Sequence, residues 1–224
     1  MHYRFTNRFG GVSCAAYESL NLAFHVGDNP LSVSQNRSLL QASLGVSKLV
    51  FMEQVHGNEV ALICHGDEVV TCDAMITNQP NIALAVMVAD CVPILFHDPK
   101  HHAIGVAHAG RVGSLLGVAS ACLRAMHEHF GSKACDVKVF IGPSIKACCY
   151  EVTQEVVEGF EAYVRQEDGK LFMDLIGYNR DVLVNMGVKE KNIVIEQACT
   201  CCSEDYFSYR REKITGRFVG VICL

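Results

Sequence analysis

The 224-residue sequence has no tryptophan, only 5 prolines, no internal repeat and no low-complexity tract. Half of its residues are hydrophobic and 19% are charged, which excludes intrinsic disorder, collagen and a small disulfide scaffold. It also lacks a run of lysine or arginine that could follow a phosphate backbone, and its net charge is −5, so no nucleic-acid partner is expected. A single domain over 1–224, or two fused α/β subdomains, is the expected organisation.

Long apolar segments are absent as well. The first residues contain no apolar core of a signal peptide, so none is expected. The longest apolar stretch, 82–96, contains Asp90 and Pro93 and is too short to span a bilayer. These absences predict a cytoplasmic protein without a membrane partner. A monomer or a homodimer is expected. Its 12 cysteines would then be mostly thiols.

The segments that are present alternate short apolar runs with amphipathic stretches, which predicts a mixed α+β fold. We expect strands at 48–56, 59–64, 82–96 with a break at 90–91, 103–108, 137–141, 193–195 and 218–223. Helices are expected at 113–130, from 153 through 164, and from Asp174, as N-cap, to Met186. The pattern does not give the order of the strands.

Three predicted strand ends carry metal-capable side chains beside glycine or another small residue, at 54–58, 89–93 and 108–110. His56, Cys91 and His108 are too far apart in sequence for a local zinc knuckle, but ligands from separate strands would have such spacing. Two imidazoles and a thiolate can bind zinc and leave a fourth position for water, whose pKa zinc lowers from about 15.7 towards 7. The same spacing also fits a buried cysteine and two hydrogen-bonded histidines.

Blocks of characteristic local sequence occur in order along nearly the whole chain. They are NLAFHVGDNP at 21–30, QNR at 35–37, QVHGN at 54–58, CDAMIT at 72–77, ADCVPILF at 89–96, HAG at 108–110, GPSI at 142–145, CCYEV at 148–152, and FSYRRE with TGR within 207–217. Together these blocks resemble the YfiH-like laccase-domain family.

The resemblance implies a four-layer α/β/β/α arrangement of mixed sheets covered by helices. It implies one zinc ion bound by His56, Cys91 and His108, which with Asp73 are the expected catalytic residues. The implied activity is phosphorolysis of adenosine, inosine and methylthioadenosine, with adenosine deamination as a second activity. The partners would be a purine nucleoside and phosphate. The family was first described as copper polyphenol oxidases, and copper could replace zinc in such a site.

Laccase chemistry can be tested against the histidine pattern. Multicopper oxidases need several His-x-His pairs, and this chain has one, His127 and His129, on a predicted helix. Two residues correspond to about 200° of helical rotation, so these rings point in opposite directions. The adjacent pair His101 and His102 has no partner at the required spacing. Laccase chemistry is therefore disfavoured.

Polar and cationic side chains within the blocks are candidates for substrate binding: Asn21, His25, Arg37, Arg111, Arg210 and Arg211. Arg37 is the first choice for phosphate or ribose because a guanidinium is a planar fork of donors. Each arginine could instead be a surface residue or a clamp on a loop. Asp73 and Asp90 are candidates to orient the ligand imidazoles, and Asp73 is also a candidate general base.

One motif departs from the family. The family usually has HAGWRG, whereas this chain has arginine and valine at positions 111 and 112. If the family tryptophan stacks on the purine, the Arg111 guanidinium could stack in its place. If the family arginine binds phosphate, Arg111 is displaced by one position. This departure concerns substrate binding and leaves the three metal ligands unchanged.

Two further cysteine groups, Cys148-Cys149 and Cys199 with Cys202, are expected to be core thiols. A structural zinc site would require these two segments to meet in space. Two other functions remain open for the chain as a whole. One is a cysteine hydrolase with Cys91 as nucleophile and a histidine as base, and the other is a non-enzymatic protein in which the metal is structural.

Overall fold

The computed structural model describes residues 1–65 and 70–224, and its strands form three sheets. The first sheet contains β1 (His2–Phe5), β2 (Lys48–Phe51), β5 (Ile82–Val88) and β13 (Phe218–Cys223), in the order β1-β13-β5-β2. The second contains β3 (Val60–Leu62), β4 (Ala74–Thr77), β6 (Val92–Asp98), β7 (Ala103–Ala109), β8 (Lys138–Ile141) and β12 (Ile193–Ile195), in the order β12-β8-β6-β7-β4-β3. A small third sheet contains β9 (Glu151–Val152), β10 (Val164–Glu167) and β11 (Lys170–Met173).

Four layers result because the first two sheets pack face to face and helices cover their outer faces. Leu84, Leu95, Val106 and Phe218 belong to the core between the sheets. Helix α1 (Pro30–Leu44) covers the four-stranded sheet, and α3 (Val118–Phe130) and α4 (Leu175–Asn185) cover the six-stranded sheet. Two shorter helices are α2 (Arg111–Leu115) and α5 (Tyr209–Glu212). The predicted mixed α+β class and its α/β/β/α layers are confirmed.

The stretch 82–96 forms two strands that belong to different sheets. Strand β5 lies in the four-stranded sheet and β6 in the six-stranded sheet, so the chain passes from one sheet to the other at 89–91. Asp90, at the crossing, has a φ of 94°, a backbone conformation that residues other than glycine rarely adopt. The break predicted at 90–91 is confirmed, and it marks a change of layer.

The helix predictions had mixed outcomes. Helix α4 follows Asp174, whose carboxylate accepts a hydrogen bond from the Gly177 N–H, as predicted. The expected helix at 113–130 is divided into α2 and α3 at Gly117, whose φ is 81°. The expected helix from 153 to 164 is wrong: 3₁₀ turns at Gln154–Val156 and Glu161–Tyr163 flank Gly159, which has a φ of 82°.

Helix α1 was not expected from the sequence, because its apolar residues do not form one consistent face. Leu31 and Leu39 are exposed, whereas Asn36 is fully buried and bonded to the preceding loop through Val12, Ser13 and Asn21. Strands β1, β4, β9, β10 and β11 were also not expected. Within the described parts of the chain, no helix combines the length and the apolar composition that crossing a bilayer requires.

Candidate metal centre and active site

Three segments meet at one end of the six-stranded sheet. Strand β7 is antiparallel to both β4 and β6, so its last residues lie beside the first residues of these two strands. His108 is the next-to-last residue of β7, Cys91 directly precedes β6, and Asp73 directly precedes β4. The sheet register thus brings three residues that are distant in sequence to the same place.

The loop with His56 is held against this end by hydrogen bonds to Asp73. Asp73 Oδ2 accepts the N–H groups of Val55 and Gly57 at 3.1 and 2.7 Å, and its Oδ1 accepts the N–H of His56 at 3.0 Å. These bonds fix His56 at a φ of 62°, in the left-handed region. Gln54 bonds the backbone N–H and C=O of Met87 with its side-chain amide, which ties the loop to β5.

Asp73 also orients the His108 ring. Its Oδ1 lies 2.7 Å from His108 Nδ1, and both side chains are buried. Because an ionised carboxylate can only accept a hydrogen bond, Nδ1 carries the proton of this contact and Nε2 is the nitrogen available to a metal. Asp73 has no exposed surface and both its oxygens are engaged, so the geometry favours an orienting role over that of a general base.

The ligand atoms of His56, Cys91 and His108 all lie within 4.8 Å of one another. The two imidazole rings are 4.8 Å apart and nearly perpendicular. Gly110 is needed beside them, because a Cβ at this position would lie 3.1 Å from both the Cys91 sulfur and the His56 ring. Two imidazoles and a thiolate form a ligand set that suits zinc with one position open, so these residues fit the implied ion.

The electrostatics of the three residues favour a thiolate at Cys91. Burial acts to raise the pKa of the thiol, but the nearby imidazoles of His108 and His56 outweigh it and lower the pKa to about 6. Burial acts to lower the pKa of His108, whereas Cys91 and Asp73 raise it to about 9. A metal ion at this place would therefore meet a thiolate and displace a proton from His108.

Asp90 does not orient the ligand imidazoles, contrary to the expectation from its position next to Cys91. Its Oδ1 accepts the Thr200 hydroxyl at 2.7 Å and its Oδ2 accepts the Arg210 N–H at 2.6 Å. Asp90 thus joins the crossing between the two sheets to two segments near the end of the chain.

A cleft runs past the three metal-capable residues and widens into three adjoining cavities. The central cavity, of about 280 Å³, is lined by His25, Gln54, His56, Met87, Val88, Ala89, Cys91, His108, Tyr209 and Arg217. It shares Cys91 and Tyr209 with a cavity of about 160 Å³ that Arg111, Tyr150 and Arg210 also line. It shares His25 and Gln54 with a third cavity, of about 490 Å³, that Arg37 lines.

Three of the expected substrate residues line the two cavities that contain Cys91: His25, Arg111 and Arg210. Burial lowers the pKa of His25, and the charges of Arg217 and Arg37 lower it further, so this imidazole is neutral at neutral pH. The Arg210 guanidinium bonds the carbonyls of Cys149 and Glu151 at 3.2 and 2.9 Å.

The other three lie apart from the metal-capable residues. Asn21 is fully buried, and its side chain bonds Ala23, Asp28 and the Arg217 N–H. The Arg37 guanidinium packs on the rings of Phe24 and Phe51, and burial lowers its pKa to about 10.

Arg211 is a clamp on the loop that precedes it. Its guanidinium donates hydrogen bonds to the carbonyls of Thr200, Cys201, Ser203 and Tyr206, and to the Glu212 carboxylate.

Arg217 and Tyr209 line the cavities, although neither was expected from the sequence. Arg217 lines the central cavity, and its N–H is held by Asn21 Oδ1 at 2.9 Å. Tyr209 lines both cavities that contain Cys91. The TGR and FSYRRE blocks contained the signal for both residues, but a residue's type does not show which way its side chain points.

Comparison with known proteins identifies the family of the chain. Residues 2–224 match the family model described as "Multi-copper polyphenol oxidoreductase laccase". A purine nucleoside phosphorylase of Streptomyces coelicolor is 41% identical over 233 residues, which cover 100% of this chain and 95% of the relative. The chain belongs to the YfiH-like laccase-domain family.

Other members of the YfiH-like family resemble the chain over a similar length. The purine nucleoside phosphorylase YfiH of Escherichia coli is 37% identical, with 98% of this chain and 92% of the relative covered. The crystal structure of YfiH from Bacillus licheniformis has a TM-score of 0.94 at 31% identity, covering 99% of this chain and 92% of that chain. YlmD from Geobacillus stearothermophilus has a TM-score of 0.93 at 32% identity, covering 99% and 90%.

The family description and the names of the relatives point to different chemistry, and the metal-capable groups of the described residues do not match the first. Over residues 1–65 and 70–224, the groups that could hold a metal are the His56, Cys91 and His108 site and a cluster of four cysteines. Neither supplies the many imidazoles of a trinuclear copper cluster. His101 bonds Asp98, and His127 bonds the Ser132 carbonyl.

We expect the variant Asp73→Ala to bind zinc at the centre of His56, Cys91 and His108 about 10- to 100-fold more weakly, because Asp73 both orients His108 and holds the loop of His56. Competition with a chelator of known affinity measures the change. Asp98→Ala is a matched control, since Asp98 is equally buried and bonds His101 Nδ1 at the same 2.7 Å. Equal zinc affinity in the two variants would contradict the role of Asp73.

We also expect iodoacetamide to label Cys91 only after the metal has been removed, because a bound ion protects the thiolate. In the metal-free protein, labelling should be fast at pH 7 and slow below about pH 6, since the thiol is then protonated. Peptide mass spectrometry locates the label, and the exposed Cys135 serves as the reference thiol. Labelling of Cys91 in the metal-loaded protein would favour a cysteine hydrolase instead.

Proposed function

We propose that the protein is a zinc-dependent purine nucleoside phosphorylase for adenosine, inosine and methylthioadenosine, with adenosine deamination as a second activity. The observation that carries the proposal is the open three-ligand centre in a cleft with cationic side chains on both sides. The names of full-length relatives support the reaction class. All twelve cysteines are free, which fits the reducing environment of the cytoplasm.

Phosphorolysis places specific demands on the cleft. The bond between the purine and C1′ of the ribose breaks, a phosphate oxygen bonds to C1′, and the departing purine nitrogen takes up a proton. The site must hold an anion beside C1′ and stabilise the charge that develops. The cavities next to Cys91 meet this demand with Arg217 on one side and Arg111 and Arg210 on the other.

His56, Cys91 and His108 would hold the zinc ion, which supplies Lewis acidity and a bound water of lowered pKa. His25 is neutral, so it can hydrogen-bond a ribose hydroxyl without adding charge. Tyr209, which lines the central cavity, offers an aromatic surface on which a purine can pack. The 280 Å³ of the central cavity and the adjoining space give the volume that a small ligand needs.

We assign phosphate to the cavity between Arg111 and Arg210. The Arg210 guanidinium donates hydrogen bonds to the carbonyls of Cys149 and Glu151, and its backbone N–H donates to the Asp90 carboxylate. A guanidinium held in this way loses little freedom when it binds an anion. Arg111, which occupies the position of the family tryptophan, adds a second positive charge.

A cysteine hydrolase is the second candidate, because Cys91 and His108 form a close pair in which the pKa of the thiol is lowered. However, the ligand atom of a second imidazole, that of His56, also lies within 4.8 Å of the Cys91 sulfur. A metal site needs this second imidazole, whereas a nucleophile with one base does not. This arrangement favours the metal centre.

Incubation of adenosine with and without phosphate tests the proposed reaction. We expect adenine and ribose 1-phosphate only with phosphate, and inosine from deamination, both resolved by chromatography. Cys91→Ala and His108→Ala should lose the zinc ion of this three-residue centre together with the activity, while keeping the far-ultraviolet circular dichroism of the parent. Cys135→Ala, at an exposed thiol outside the cleft, should keep both. No product from any of the three nucleosides with zinc-loaded protein would refute the proposal.

Two neighbouring arginines allow a test of the phosphate site. Arg210→Gln should raise the KM for phosphate at least about tenfold, because a charged hydrogen bond contributes about 1.5–3 kcal/mol. Arg211→Gln should leave this KM unchanged and lower the melting temperature, since Arg211 bonds loop carbonyls. Steady-state kinetics at saturating nucleoside measures both. An equal effect of the two variants on this KM would contradict the assignment.

A further inference from the structure

Four cysteines that the proposed reaction does not use lie together at the edge of the protein, two of them exposed, one half-buried and one buried. They are Cys148, Cys149, Cys199 and Cys202, and all their sulfur atoms lie within 4.8 Å of one another. The Cys202 sulfur is 3.2 Å from that of Cys149 and 3.6 Å from that of Cys148. The expectation that these residues are core thiols is wrong for Cys148 and Cys202, because both are exposed.

Two segments about fifty residues apart in sequence meet to form this cluster. A tight turn closes when the Lys146 carbonyl accepts the N–H groups of Cys149 and Tyr150. The second segment is a Cys-x-x-Cys turn, in which the Ser203 N–H donates to the Cys199 carbonyl. The segments are joined where Ser144 pairs with Cys199 and the Thr200 N–H bonds the Ser144 carbonyl. This pairing of two turns by backbone bonds holds the four thiols together.

We infer that these four cysteines bind one zinc ion as a tetrathiolate site, separate from the site of His56, Cys91 and His108. In a zinc tetrathiolate the Zn–S bonds of about 2.3 Å place the sulfur atoms about 3.8 Å apart, close to the separations found here. A set of four sulfur ligands in tetrahedral reach favours zinc over magnesium, calcium or manganese, which prefer oxygen.

Positive charge lies around the cluster. Zinc with four thiolates has a net charge of −2, which needs nearby cations. The Lys146 ammonium bonds the Glu196 carbonyl, Arg210 bonds the Cys149 carbonyl, and Arg211 bonds the Thr200 and Cys201 carbonyls. These contacts place three cationic side chains on the two cysteine segments, where they offset the charge of the site.

The bound zinc ion would stabilise the wall of the cleft. Tyr150, which follows Cys149, lines the cavity beside Cys91. Thr200, inside the second turn, donates to Asp90 at the crossing between the sheets. Four ligands close the coordination sphere and leave no position for water, so the ion has a structural role.

Elemental analysis of the purified full chain, expressed with zinc and kept reduced, tests the inference. We expect two zinc ions per chain in the parent protein, one in Cys149→Ser, one in Cys202→Ser and one in Cys91→Ala. The double variant Cys91→Ala, Cys202→Ser should contain none. Cys201→Ser is the matched control, since Cys201 lies in the same turn outside the set of four, and it should keep two.

A second measurement does not depend on how the serine variants fold. Cobalt-loaded Cys91→Ala should show the intense near-ultraviolet sulfur-to-cobalt charge-transfer band and the red absorption of a tetrahedral tetrathiolate. One ion per chain in the parent protein, or a spectrum without sulfur ligands, would overturn the inference. Loss of two hydrogen masses in the intact parent protein would instead show a disulfide within the cluster and would also overturn it. Because these readouts do not involve nucleosides, they are independent of the proposed phosphorolysis.

Discussion

The Asp73 carboxylate is the interaction on which the candidate site depends. It accepts hydrogen bonds from three consecutive backbone N–H groups, those of Val55, His56 and Gly57, and a fourth from Nδ1 of the His108 ring. Burial of such a charge costs free energy, and here burial acts to raise the pKa of Asp73. The His108 and Gly57 hydrogen bonds outweigh burial, so the pKa is lowered and the carboxylate stays ionised. One anion thereby shapes the backbone of one ligand and sets the tautomer of another.

The crossing between the two sheets is the second organising feature. Because the chain changes sheets at 89–91, Cys91 and Asp90 lie at the boundary of two packed layers, where their neighbours come from distant parts of the sequence. Asp90 uses its carboxylate to bind Thr200 and Arg210. The same few residues thus connect the metal-capable centre, the wall of the cleft and the four-cysteine cluster.

The residue pattern predicts mixed α and β structure, and the α/β/β/α layers and the set of three metal-capable residues follow from the family resemblance that the local blocks carry. The sequence was insufficient for the arginines: Arg210 and Arg211 are adjacent and alike, yet one lines the cleft and the other bonds loop carbonyls. The helix expected across Gly159 fails because one positive φ ends the helical pattern. The four cysteines could not be grouped, because their proximity arises from tertiary pairing of Ser144 with Cys199.

Strand β13 has a consequence for how the protein folds. It lies between β1 and β5, and β1 has no other strand partner within the described residues. The paired residues His2 and Cys223 are separated by almost the whole sequence, so their pairing closes a very long loop. The entropic cost of this closure can be offset only when most of the chain is available to form contacts. Until β13 arrives, both β1 and β5 present an unpaired edge, the type of surface from which aggregation begins. The four-stranded sheet is therefore completed by a long-range closure, which favours slow folding and makes β13 the segment whose loss would expose most of that edge.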